Sequence, residues 1–321
     1  MYDEKLLKKS LPKENTIISP TQKTNTKRAG FIGLIEASSN AYGVEEVGGY
    51  DYSTLSTEYQ ATTKETSDNC ELEELTEAWE GSYDPIIRSR KVIGRDDRVA
   101  IEDTQQYPYR AICSLIITAP TGHRFIGSGW FVSSRTIITA AHCLYFHKYG
   151  GLATSIEVYP GRNGNQLPYG RGTATDIRCT ADWMDHKEMA ADYGAIILPA
   201  NQPIGDQVGF FGYEVLGKRD TQRLTLNLSG YPADKRPLGQ QWYHSRRTTK
   251  VDATSIQYRI DTYGGQSGAP VWYQDNGKRY VVGIHTYGGS SVNAATRITQ
   301  EVFEKLEEWR LEGATTRQEE V

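Results

Sequence analysis

Three short stretches carry residues that could do chemistry together: Thr139-Ala140-Ala141-His142-Cys143, Ala191-Asp192-Tyr193-Gly194 and Gly264-Gly265-Gln266-Ser267-Gly268-Ala269-Pro270. A serine hydroxyl is a weak nucleophile until a neighbouring base takes its proton. His142 is a candidate for that base. Asp192 is a candidate for the carboxylate that fixes its tautomer and stabilises the imidazolium once formed. The glycines around Ser267 let backbone N–H groups turn toward one point, which is what a developing oxyanion requires. The chemistry these parts would do is acyl transfer through Ser267. Taken singly, each has a plainer reading: a histidine beside a cysteine is often structural, and Asp-Tyr-Gly or Gly-Gln-Ser-Gly is often a turn. Their co-occurrence makes the reactive reading the better one.

Elements must bring these residues together, and the chain supplies short ones. From Tyr107 onward, β-rich runs alternate with turn residues. Arg110–Thr118, Phe125–Val132, Arg135–Ala140, Ser155–Tyr159, Leu224–Leu228, Ile256–Ile260, Ala269–Tyr273 and Tyr280–His285 read as strands. That spacing predicts an all-β sandwich or barrel arrangement. Near the C-terminus the period changes. Val302, Phe303, Leu306 and Trp309 share one helical face, with Thr299 as the expected N-cap. Two barrels closed by a C-terminal helix is the architecture these patterns suggest.

The chain has 321 residues and a formal net charge of −4, which gives no electrostatic case for nucleic acid or an anionic membrane as partner. It carries no apolar run near the roughly 20 residues of a membrane span. Residues 1–91 differ from the rest. They are rich in Lys, Thr, Ser, Asn and Glu and poor in apolar clusters, and they read as a loosely ordered, propeptide-like segment. Within them, Glu71–Glu80 could form a short amphipathic helix with Leu72, Leu75 and Trp79 on one side, or a charged, solvated turn. Arg90-Lys91 before Val92-Ile93-Gly94 has the form of a processing site that would free the Val92 amine. The division expected is therefore a segment over 1–91 and a protease-like domain over 92–321. The first twenty residues show no apolar signal-peptide core. Of the four cysteines, Cys70 lies in the segment, so any disulfide among Cys113, Cys143 and Cys179 leaves one thiol over. No Cys-x-x-Cys or His-Glu-x-x-His motif occurs, and neither a metal nor a cofactor is expected.

From Val92 to the C-terminal helix the chain resembles the glutamyl endopeptidases of the chymotrypsin superfamily, the V8-type enzymes and especially their Bacillus relatives. The resemblance rests on Val92-Ile93-Gly94, Tyr107-Pro108-Tyr109-Arg110, Tyr159-Pro160-Gly161-Arg162-Asn163-Gly164, Ser229-Gly230-Tyr231-Pro232, Asp261-Thr262-Tyr263-Gly264-Gly265-Gln266-Ser267-Gly268 and Gly289-Ser290-Ser291. The His…Asp…Ser order is that superfamily's, not the Ser…Asp…His of α/β-hydrolases or the Asp…His…Ser of subtilisins. The resemblance implies two six-stranded β-barrels, a triad of His142, Asp192 and Ser267, and an oxyanion hole made by the N–H groups of Gly265 and Ser267. It also implies an S1 site for a glutamate side chain built from Thr262, His285 and the freed Val92 amine, all of them donors to an anion. The protein so described is a secreted, monomeric peptidase acting on protein or peptide substrates. Gln266 cannot form the ion pair with a new N-terminus that trypsin-like precursors use. One residue pulls the other way. Asp261 stands where trypsin-like enzymes read Lys or Arg, and an unpaired carboxylate there would favour cleavage after basic residues. An endopeptidase cleaving after Glu (or Asp) is thus the leading reading, with a trypsin-like endopeptidase and an inactive binding module as alternatives. Where the Bacillus relatives bridge the cysteine after histidine to one before their Gly-Trp, this chain has Gly127-Ser128-Gly129-Trp130, so that bridge is not expected.

Overall fold

A computed structural model describes residues 16–18, 75–82 and 92–314. The main strands are β1 (Thr76–Glu77), β2 (Ile112–Thr118), β3 (Arg124–Phe131), β4 (Thr136–Thr139), β5 (Ser155–Pro160), β6 (Gly172–Ala174), β7 (Asp176–Thr180) and β8 (Gly194–Ile197) in the N-terminal half. The C-terminal half contributes β9 (Thr225–Gly230), β10 (Trp242–Val251), β11 (Ser255–Tyr258), β12 (Pro270–Asp275), β13 (Lys278–Gly288) and β14 (Asn293–Arg297). The first sheet runs β7-β8-β4-β3-β2-β5-β6. Ala174, which ends β6, and Asp176, which begins β7, are one residue apart in the chain, so the sheet curls nearly shut, and Thr16–Ile18 pairs antiparallel with β7 on its outer side. The second sheet runs β13-β12-β9-β10-β11-β14 and is closed by the pairing of β13 with β14. Closing both sheets leaves few free edges.

Strand interiors follow composition. β2 (ICSLIIT) and β4 (TIIT) are buried nearly throughout, because one face fills a barrel and the other meets the second barrel or the C-terminal helix. Leu115, Ile117, Phe131, Ile137 and Ile156 fill the first barrel, and Leu226, Leu228, Ile256, Tyr258 and Val271 the second. A third cluster joins them: Ile112, Trp130 and Ile138 of the first barrel pack with Trp272, Val281 and Ile284 of the second and with Val302, Leu306 and Trp309 of the helix Gln300–Glu312. Thr299 caps that helix, its hydroxyl accepting from the Val302 N–H at 3.4 Å, as the sequence predicts. Among the described residues no helix is long and apolar enough to cross a membrane.

The all-β, two-barrel expectation with a closing helix holds, and all eight predicted strands are present. The stretch Glu71–Glu80 is a different matter. Leu72 lies outside the described residues, and Thr76–Glu77 is a strand, so the helical turn begins only at Ala78 and ends at Ser82. Leu75 is drawn into a cluster with Ile116 and Tyr159 on the first barrel. The available apolar partner and the unpaired edge of β3 outweigh the local helical periodicity.

Candidate active site

β4 delivers the histidine. After Thr139 the chain turns through a single 3-10 turn, Ala141–Cys143, and the smallness of the buried Ala140 and Ala141 lets it sit against the barrel wall. β8 pairs antiparallel with β4, Gly194 opposite Thr139. Continued outward, that register sets position 192 across from position 141. The outcome is a two-point clasp: Asp192 Oδ1 accepts the His142 backbone N–H at 2.9 Å, and Oδ2 lies 2.8 Å from His142 Nδ1. Both residues are fully buried. Burial pulls the His142 pKa down, but the Asp192 carboxylate and neighbouring Cys143 outweigh it and raise the imidazole above its ordinary value. Thr296 steadies the clasp from the second barrel, its hydroxyl donating to the Asp192 carbonyl at 3.3 Å.

Ser267 comes from the second barrel, on the turn that leads into β12. Its carbonyl accepts the Ser128 N–H of β3 at 2.8 Å and lies 3.7 Å from Cys143 Sγ. Gly268 is pressed against Thr139, Ser128 and Ala140, where any side chain would overlap them. The serine turn is thus seated on the strand ends that carry His142. Gly265 adopts φ +95°, a conformation costly for residues with a Cβ. The Gly264 carbonyl accepts the Ala233 N–H at 2.8 Å. Because a trans peptide points its N–H opposite its carbonyl, this bond aims the Gly265 N–H away from Ala233. Ser128 was not singled out from sequence. Its hydroxyl donates to the Gly265 carbonyl at 2.8 Å and accepts the Tyr231 N–H at 3.0 Å. The only sequence signal for it is the small-residue run Gly127-Ser128-Gly129, which permits close approach of another chain.

The expected S1 residues lie on the far side of the serine turn. His285, on β13, is buried; its N–H donates to the Ala269 carbonyl at 2.9 Å, and its own carbonyl accepts the Gly268 N–H at 2.7 Å. Its Nδ1 is 2.8 Å from the Tyr258 hydroxyl. Burial, reinforced by the charge of His142, pushes the His285 pKa down to about 3, so the ring is neutral. Burial also keeps the Tyr258 phenol protonated. The protonated phenol and the neutral imidazole share this one hydrogen bond. The Thr262 hydroxyl is buried and has no hydrogen-bond partner, an unusual and costly condition unless a ligand supplies one. Asp261 is fully engaged. Oδ1 accepts the Ile93 N–H at 2.7 Å and Oδ2 the Asp97 N–H at 3.0 Å. Those bonds hold Val92, one residue away, beside the Asp261–Thr262 segment. Gln266 folds back, its Oε1 accepting the Tyr263 N–H at 2.9 Å, and offers no charge to an N-terminus.

Two barrels that present a His–Asp clasp from one side and a Gly-Gln-Ser-Gly turn from the other define the class of chymotrypsin-like serine proteases. Comparisons agree and narrow it. Residues 127–284 match a model of the trypsin-like peptidase domain. The chain is 41% identical over 231 residues to a glutamyl endopeptidase of Bacillus licheniformis, covering 69% of each. It is also 36% identical over 226 residues to a Bacillus subtilis protein named an extracellular metalloprotease, covering 70% of this chain and 71% of that one. A solved Glu endopeptidase structure superposes with a TM-score of 0.61 at 26% identity, over 69% of this chain and all of that one. The chain belongs to the glutamyl endopeptidase family and is a serine endopeptidase acting on protein or peptide substrates.

The metalloprotease name of one relative makes metal donors worth testing. Among the described residues, Asp97, His244 and Asp261 are the one group close enough to share an ion. They do not fit one. The Asp261 oxygens hold two backbone N–H groups, and His244 Nδ1 accepts the Asp261 N–H at 2.8 Å.

Proposed function

We propose that this endopeptidase uses His142, Asp192 and Ser267 as its triad, cleaves after glutamate, and is made as a precursor cut at Lys91–Val92, with residues 1–91 as the propeptide and 92–321 as the protease. The observation that carries the specificity is the contrast between two neighbours. The Asp261 carboxylate, which would favour Lys or Arg, is consumed by Ile93 and Asp97, whereas the adjacent Thr262 hydroxyl is buried with nothing to bond.

In this reading Ser267 Oγ attacks the carbonyl after the glutamate while His142 Nε2 takes its proton. Asp192, bonded to Nδ1, stabilises the imidazolium and holds the ring in place. The tetrahedral oxyanion is met by the N–H groups of Gly265 and Ser267, each worth about 3–4 kcal/mol. His142 then hands its proton to the leaving amine, and water repeats the cycle on the acyl-enzyme. The glutamate carboxylate would lie among the Thr262 hydroxyl, the His285 imidazole and the Val92 amine once the chain is cut. The test is a panel of peptides differing only in the residue before the scissile bond. Glu should turn over fastest; faster turnover after Arg or Lys would assign the site to trypsin-like specificity instead.

A further inference from the structure

The described residues include a piece of the segment before Val92, and it lies across the proposed site. β1 pairs in parallel with β3, Thr76 opposite Phe125 and Glu77 opposite Ile126. Glu77 is buried, and its carboxylate fills the space over Gly264, where even a methyl group would overlap it. Gly264 directly precedes Gly265, whose N–H is one of the two proposed oxyanion donors. Further along, Ala78 is buried in the first barrel's core cluster and Gly81 is packed on Phe146 and Phe125. The end of the turn is clasped to both loops that carry the triad's first two members. Ser82 Oγ donates to the Tyr145 carbonyl at 2.8 Å, the Lys148 N–H to the Gly81 carbonyl at 3.3 Å, and Lys187 Nζ to the Ser82 carbonyl at 3.4 Å.

We infer that residues 75–82 are an inhibitory strap, with Glu77 as the plug that closes the cleft between Ile126 and Gly264. This rests on the proposed nucleophile and adds to it a device of regulation. A substrate carbonyl that reaches Ser267 and the Gly265 N–H has to enter the space Glu77 fills. The cut at Lys91–Val92 falls nine residues beyond Ser82 and touches none of the strap's contacts, so it frees Val92 without emptying the cleft. Release needs a second event. The sequence of the strap and of the residues just before it suggests which: Glu77 and Glu80 lie within it and Glu71, Glu73 and Glu74 directly precede it, five glutamates in ten residues. An already freed enzyme molecule can hydrolyse such a bond, adding water across it to leave a carboxylate and an amine. The inhibitor is then one that its target destroys.

The experiment uses the full chain, before and after limited cleavage with a lysine-specific protease, and follows labelling of Ser267 by a fluorophosphonate, which needs no particular P1 residue. Glu77→Ala should label about tenfold faster than the wild type in both states, as expected when a buried charged contact is lost. Ser82→Ala, which loosens only the distal clasp, should give a smaller acceleration. A synthetic peptide of residues 71–83 should slow the Glu77→Ala chain again, and the same peptide carrying alanine at position 77 should not. Equal rates for all three chains, with the peptide without effect, would overturn the strap while leaving the nucleophile intact. Failure of every chain to label after the lysine cut would instead remove Ser267 as nucleophile, and the strap's purpose with it.

Discussion

Two imidazoles in one site are driven in opposite directions by their surroundings. His142 gains an anionic partner and is raised; His285 is sealed beside a phenol and held neutral, down to about 3. The consequences for stability have opposite signs. The unfolded His285 binds a proton below about pH 6.5 and the folded one does not, so its contribution to stability is present at neutral pH and erodes as pH falls from 6.5 toward 3, by up to about 1.4 kcal/mol per pH unit. The His142 contribution is full below about pH 6.5 and is lost as pH rises through its elevated folded value. Urea midpoints measured from pH 7 to pH 4 should therefore fall steeply for the wild type and less steeply for His285→Gln; parallel curves would mean that His285 is protonated in the fold. At the reacting end, Ser267→Ala and His142→Ala should each lower kcat/KM by about 10⁴–10⁶, and the double variant little further, because the triad acts as a unit. Additive losses would place one of them outside the site. The segments that hold these proposed residues stood out in the sequence because their patterns are local: small residues before His142, glycines around Ser267. Ser128 and the bonds of Asp261 to Ile93 and Asp97 were not legible. Both depend on contacts between residues more than a hundred positions apart, which no local pattern encodes.

Elements that the sequence hid were those whose two faces do not contrast. β10 reads Trp-Tyr-His-Ser-Arg-Arg-Thr-Thr-Lys-Val, and along it only His244 and Thr248 are buried. It is a strand because β9 and β11 pair with it on either side, not because it alternates. β8 (Gly-Ala-Ile-Ile) and β14 (Asn-Ala-Ala-Thr-Arg) are only four and five residues long, too short to show a period of their own, and pairing with a strand on either side creates them. The cysteines show the converse, a local absence with a clear geometric meaning. Cys113, Cys143 and Cys179 are free and buried. A Cβ placed on Gly127 would stand 3.7 Å from the Cys143 Cβ and 2.9 Å from its Sγ, inside the range of natural disulfides. Gly127→Cys should thus bridge to Cys143. Closing a loop of that length is worth about 3 kcal/mol, or roughly 6–12 °C in a domain of this size. The check is a melting temperature that rises only without reductant, together with thiol titration of the denatured chain. With four cysteines in the natural sequence and five in the variant, three thiols should titrate; five would mean that no bridge formed.

At the scale of the molecule, the proposed site exists only while two barrels keep their relative position, since His142 and Asp192 belong to one and Ser267 to the other. The strap adds a ligand-like brace on the cleft side, but the permanent joint lies behind it, in the cluster that Trp309 completes. Trp309 is fully buried there, beside Tyr193 at 5.8 Å between ring centroids. The helix is pinned to the first barrel by the Thr136 hydroxyl, which donates to the Trp309 carbonyl at 2.9 Å, and by the Arg135 N–H, which donates to the Gly313 carbonyl at 3.1 Å. Arg178 on β7 ties to Glu312 at its end. Phe303 on the same helix packs against Tyr213, which neighbours the second barrel through its pairing with β13. One helix therefore touches both halves, and a cavity within it weakens both. Trp309→Ala should cost about 3–5 kcal/mol. If the joint is shared as described, unfolding followed by far-UV circular dichroism and loss of peptidase activity should shift together along the urea axis. A variant that loses activity well before its sheet signal would show barrels that come apart while each stays folded, and the helix would then be an attachment to one barrel rather than the link between them.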